Sequence, residues 1–248
     1  MNAIYILWLR QLKRQIRSKS RIIGSIGQPI LFLVAFGFGF GPIFSKAGGG
    51  NYMDFIAPGI IAMGILFNAV FTGMEIIWDK QFGFLKETLV APVSRTEIMI
   101  GRTLGGATIA VAQGVIVFII TLCVGFHPTS VLGFFEALIF MFLIALLFTS
   151  IGTAIASVLE DMQGFGLIVN FFIMPIFFLS GALFPLIGLP SVVSFLAHID
   201  PLTYGVDAIR GALVGGNFFS LSTDALVLTL VTASFVALGS YLFGKIEA

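Results

Sequence analysis

Few residues in this 248-residue chain could do chemistry, and their spacing limits which chemistry is open to them. Glu75 and Asp79 stand one helical turn apart at the end of a long apolar run, followed by Lys80. A charge bordering hydrocarbon is costly and faces protein or water. Glu75 therefore reads either as a polar contact to a neighbouring helix or partner, or as part of a substrate path. Glu136 lies near the start of another apolar run, where a solvated carboxylate suffices. Asp224, two residues after Ser222, fits a helix start, where the dipole favours an anion.

Other chemistries lack their residues. His127 and His198 each lie near a proline, with no second histidine at the spacing a zinc site prefers. Cys123 is the only cysteine, which excludes intrachain disulfides and cysteine-based metal sites. The run "GSYLFGKI" at 239–246 matches much of a phosphate loop, but Ile246 stands where Ser or Thr would hold magnesium, and no strand precedes it. No cofactor is expected on this chain.

The elements that must position these residues are membrane helices. With 58% hydrophobic and 10% charged residues, a mean hydropathy of +1.08, 28 Phe and 29 Gly, a water-soluble fold would have almost nothing to show to solvent. The apolar runs are continuous and too long for the alternating segments of a β-barrel. The fold class expected is an all-α integral membrane protein in one domain. Its spans are predicted at about 22–44, 55–78, 103–126, 131–159, 165–184 and 222–244. No cleavable signal peptide is expected at the N-terminus.

Residues 4–21 read as an amphipathic interfacial helix. Tyr5, Trp8, Leu9, Leu12 and Ile16 recur on one face, and Arg10, Lys13, Arg14 and Arg17 on the other, among lipid headgroups. The alternative, a basic arm for nucleic acid, is set aside because a spanning segment begins at once. An even number of spans puts both termini on one side, with every Lys and Arg except Lys46 and Arg210; the termini are therefore expected in the cytoplasm. Between the fifth and sixth spans, prolines cut 185–216 into two short amphipathic helices, dipping into the outer leaflet or re-entering it. In "FGFGFG" at 36–41, Gly37 and Gly41 have the spacing of a close helix contact, while Phe36 and Phe38 could line an apolar path.

The segment "GFLKETLVAPVSRTEIMIGR" at 83–102 is the polar interruption in this apolar text. Residues 80–89 can form an amphipathic surface helix with Phe82, Leu85 and Leu89 on one face and Lys80, Lys86 and Glu87 on the others. Pro92 interrupts it. Ser94 with Glu97 three residues on forms a capping box that starts the next helix.

At these residues the chain resembles the permease subunit of an ATP-binding-cassette (ABC) exporter, of the six-span family that moves drugs, lipids and polysaccharides. The family's first inner loop runs through L-x-x-P-x-S-R to G-K or G-R, matched by Leu89, Pro92, Ser94, Arg95, Gly101 and Arg102. "YMDFIAPGI" at 52–60 resembles its F-x-x-P-G, and "LSGALFP" at 179–185 and "DPLTYGVDAIRG" at 200–211 resemble its C-terminal signature. Gln81 departs from relatives that often carry an acidic residue there.

The resemblance implies a homodimer in a prokaryotic cytoplasmic membrane, docked on two copies of a separate ATPase that binds ATP and magnesium. It implies coupling through 79–102, with Phe82, Phe84, Leu85, Lys86, Glu87, Arg95 and Glu97 as contact candidates. It also implies external helices, with Pro185, Asp200, Pro201, Tyr204, Asp207 and Arg210 as their candidate residues. The cargo expected is an amphipathic drug, lipid or lipid-linked saccharide. Two alternatives stay open: a proton-driven exporter, against which the near absence of ionisable residues deep in the spans counts, and a non-transporting membrane scaffold.

Overall fold

A computed structural model describes residues 3–46 and 51–246, the side chains of Ser45 and Lys46 excepted. Every regular element among them is helical, and six helices are long and apolar enough to cross a membrane. In chain order they are α1 (Ala3–Arg17), α2 (Lys19–Lys46), α3 (Tyr52–Gln81), α4 (Phe84–Val90), α5 (Arg95–Cys123) and α6 (Val131–Val158). A broken fifth span follows as α7 (Met162–Ile168), a π-helical turn (Val169–Ile173) and α8 (Met174–Leu179). The chain ends with α9 (Ser191–Ile199), α10 (Pro201–Val214) and α11 (Leu221–Gly244). Lys46, the basic residue expected at the far end beside Arg210, has its side chain outside the described set.

The spans of α3 and α5 extend into polar sequence that the apolar windows leave out. The segment between them shrinks from the expected 79–102 to residues 82–94. The amphipathic N-terminal helix ends at Arg17, and Lys19 and Arg21 belong to the first span. The fifth span ends at Leu179, short of the expected 184, where Ser180–Pro185 turns.

Helix α3 is the hub of the bundle, buried along most of its length against α2, α5 and α6. Its contact with α6 is a backbone approach: a Cβ on Gly73 would strike Gly152, and one on Gly152 would strike Val70. Small residues at such crossings let helices pack where lipid removes the hydrophobic drive between them. Of the glycine pair in α2, Gly37 meets the Met53 side chain, while Gly41 has open space beside it.

Candidate functional site

Most of the ionisable residues gather at the end of the bundle that holds α1 and the C-terminal end of α11. Helix α1 lies on the first turns of α5, because a Cβ on Gly101 would meet Leu7 and Ile4, and one on Gly105 would meet Gln11. The indole of Trp8 donates to the Thr108 hydroxyl at 3.1 Å. This seat carries Arg10 and Arg14 over the inner end of α3. There they are tied to the bundle as well as half exposed: Arg14 lies 3.5 Å from Asp79 and 3.6 Å from Glu75, and Arg10 3.9 Å from Asp79. Lys13 and Arg17 point away and are exposed.

Two further arginines complete the network. Arg21 pairs with Glu75, and Arg102, buried at the start of α5, donates to Asp79 at 2.5 Å. Removing one partner of such a buried pair leaves an uncompensated charge, typically at a cost of ~3–5 kcal/mol. Glu75 and Asp79 are legible in the sequence as a pair one turn apart; their arginine partners come from three elements and are not. Lys80 turns the other way and donates to the carbonyls of Ala156 (3.1 Å), Ser157 (2.8 Å) and Leu159 (3.2 Å), closing the C-terminal end of α6. Gln81 donates to the Glu160 carbonyl at 3.2 Å, a bond that an acidic residue could not make once ionised.

The surface segment is built differently from the expectation. Helix α3 runs on through Gln81, and Gly83 then adopts a left-handed conformation, φ 78°, that starts α4 in a new direction. Phe82 is therefore not on the amphipathic face but stacks on Trp78 with ring centroids 5.4 Å apart. Leu85 is 2% exposed and Leu89 packs on the core, so Leu85 is internal. Phe84 and Val90 are 51% and 82% exposed, and Lys86 and Glu87 are exposed beside them.

The capping box forms as read: the Ser94 hydroxyl accepts from the Glu97 N–H at 3.2 Å, and Glu97 accepts from the Ser94 N–H at 3.1 Å. Arg95 is engaged within the chain, donating to the carbonyls of Gly244 (2.5 Å) and Ile246 (2.7 Å) at the end of α11. The apparent phosphate loop at 239–246 is the last part of that helix, which ends at Gly244, and the two residues after it, with Gly239 against Met99.

Beside the charge network, a cavity of about 430 Å³ opens between α1, α2 and α3. Arg21, Glu75, Gln28, Asn68, Phe71 and Trp78 are among its walls. Phe36 lies elsewhere, between Phe32 and Phe40 in an aromatic row; Phe36 and Phe40 line a separate apolar groove with Pro185, and Phe38 is exposed. The structure thus separates Glu75 from both phenylalanines.

At the opposite end, helix α10 is more deeply packed than a surface helix, its buried side set against α6, α11 and α3. Pro201 begins it, and Asp200 caps it, accepting from the Leu202 N–H at 2.8 Å. Burial pushes the Asp200 carboxyl up to about 8, opposed by that bond. Asp207 accepts the N–H groups of Phe218 (2.8 Å) and Phe219 (2.7 Å), fixing the turn into α11.

Arg210 donates to the Gly181 carbonyl at 2.9 Å and lies 4.2 Å over the Phe55 ring. Burial pulls its pKa down to about 10, which leaves it charged at neutral pH. Tyr204 donates to the His198 carbonyl at 2.8 Å and stacks on Phe219. The C-terminal signature is therefore a set of ties joining α10 to the turn after α8 and to the start of α3.

A helical bundle with six candidate spans, an ionisable network and a surface helix at one end defines a polytopic membrane protein. The profile of the ABC-2 type transporter family matches residues 2–214, and the chain belongs to that family. It is 26% identical over 235 residues to the inner membrane transport permease YadH of Escherichia coli K12, covering 94% of this chain and 91% of YadH. It is 25% identical over 222 residues to Nodulation protein J of Sinorhizobium fredii, covering 88% of this chain and 84% of the relative. Nodulation protein J of Rhizobium leguminosarum bv. trifolii is 27% identical over 213 residues, 85% of this chain and 78% of its own.

Proposed function

We propose that the chain is the membrane half of an exporter: a homodimer in a prokaryotic cytoplasmic membrane, with both termini inside, that moves an amphipathic drug, lipid or lipid-linked saccharide outward on energy from two copies of a separate ATPase. The observation that carries this reading is α4. It presents Phe84, Glu87 and Val90 to solvent at the basic end of the bundle, while Leu85 and Leu89 anchor it to the core. An exposed apolar and charged surface beside an anchored helix suits a protein partner. A push on α4 passes through Gly83 into α3, whose end is clamped by Arg14, Arg21 and Arg102 and whose length contacts α2, α5 and α6.

The cavity beside Glu75 offers an entry for cargo, with aromatic and amide walls. Ion pairing of Glu75 and Asp79 speaks against a proton carrier, which must be free to cycle. In proteoliposomes holding the chain and its ATPase, outward movement of a fluorescent amphiphile should require ATP and survive a proton ionophore. Movement driven by a pH gradient without the ATPase contradicts the reading.

A further inference from the structure

The last span, α11, sits on the bundle by a narrow stripe. Its buried residues are Asp224, Leu228, Thr232, Gly239 and Phe243, and the helix packs on α6, α10 and α5. Side-chain hydrogen bonds add little to that seat. Among the described residues, both carboxylate oxygens of Asp224 and the Thr232 hydroxyl lack a hydrogen-bond partner, and the Ser240 hydroxyl reaches only the Met99 sulfur, at 3.4 Å. The firm polar ties are at the two ends. At the outer end, Asp207 of α10 accepts the N–H groups of Phe218 and Phe219, in the turn that leads into α11. At the inner end, Arg95 donates to the carbonyls of Gly244 and Ile246.

The unpaired carbonyls and partial negative charge of a helix C-terminus suit a guanidinium. Here the guanidinium belongs to another element, the first residue of α5, directly after the surface segment that carries α4. Between α4 and the end of α11 lies a cavity of about 550 Å³, with Leu85, Lys86, Glu160, Lys245 and Ile246 among its walls. The surface segment thus meets the end of α11 through the Arg95 bonds rather than through close packing. At the other end, a Cβ on Gly205 would come to 3.9 Å from Leu228, and one on Gly211 to 3.5 Å from Leu221, so α10 rests on the outer half of α11. Helix α10 in turn holds the turn after α8, through Arg210 and the Gly181 carbonyl.

We infer that Arg95 is a positioning residue that ties the surface segment 82–94 to α11, so that a displacement of α4 shifts α11 on its narrow seat and, through Asp207, shifts α10 at the far end. A helix of 24 residues is about 36 Å long, and rigid elements joined at their ends carry coupling over such lengths. An arginine that only capped α11 would steady its inner end and leave α4 and α11 independent. The part of this tie in transport rests on the permease reading above. The tie itself is a property of the chain and is tested without an ATPase.

The first test measures hydrogen exchange over 240–246 in the full chain in nanodiscs, as a double-mutant cycle of Gly83→Ala, which disturbs the entry to α4, and Arg95→Ala. With Arg95 present, Gly83→Ala should speed exchange there by about twofold or more, the lower end of couplings carried by a shared backbone shift. With Arg95→Ala that effect should vanish. No effect of Gly83→Ala on 240–246, or the same effect in both backgrounds, overturns the proposal. The second test uses proteoliposomes holding the chain and its ATPase. Arg95→Ala should keep ATPase binding and ATP turnover but lower the transport of a fluorescent amphiphile per ATP by about fivefold or more, the scale of coupling between sites. Arg95→Lys, which can still donate to a helix-end carbonyl as Lys80 does, should restore most of it. Unchanged transport per ATP in Arg95→Ala, or loss of ATPase binding, which would make Arg95 a docking contact, also overturns the proposal. Absence of ATP-driven transport in wild type contradicts the permease reading instead, and the exchange cycle then decides the tie.

Discussion

Asp200 is held between two demands on one carboxyl group. As the cap of α10 it accepts the Leu202 N–H, which suits the ionised form, yet it is buried, and burial dominates and lifts it to about 8 from the ordinary 3.8. A carboxyl raised on folding contributes stability that is fully present below its unfolded pKa and is lost as pH rises through its folded value. The outer end of the bundle should therefore weaken between about pH 4 and about pH 8. Asp200→Asn keeps the acceptor oxygen that caps the helix and removes the titration. Thermal unfolding in detergent should show a flatter pH profile for this variant than for wild type; matching profiles would show that Asp200 ionises freely in the fold.

Helix α4 depends on its first connection. Gly83 sits at φ 78° with open space where a Cβ would go, so a side chain there meets no steric obstacle and only the backbone objects. Gly83→Ala should cost ~1–2 kcal/mol, the left-handed penalty. That cost should fall on the join between α3 and α4, read as faster hydrogen exchange over 84–90 with little change over α6. Unchanged exchange would mean that the left-handed turn does not set the direction of α4.

This element also shows how far the sequence could be read. Ser94 and Glu97 were legible because a capping box is local, closed within four residues. The surface helix starts at Phe84 rather than Lys80, because continuous amphipathic spacing from Lys80 hides the break at Gly83. For Arg95, a candidate partner contact by the family resemblance, nothing nearby in the chain announces that its acceptors are the carbonyls of Gly244 and Ile246. The same holds for Arg102 and Asp79: each is visible as a charge near a span end, but the pairing follows from how α5 crosses α3.

In the whole molecule, under the proposed function, force from a partner ATPase enters through the outward face of α4 and reaches the spans through α3. The spans supply apolar length, the ties of Asp207 and Arg210 hold the far end, and the arginine network joins α1, α2 and α5 to the end of α3. The direct measurement is ATP turnover by the co-expressed partner ATPase, bound to wild type and to Phe84→Ser with Val90→Ser. The double variant should keep the thermal stability of wild type, because both side chains are exposed, and lose ATPase binding and permease-dependent turnover by roughly tenfold or more, the scale of interface hot-spot residues. Full binding and turnover with the double variant, and again with residues 82–90 replaced by a flexible linker, would contradict it.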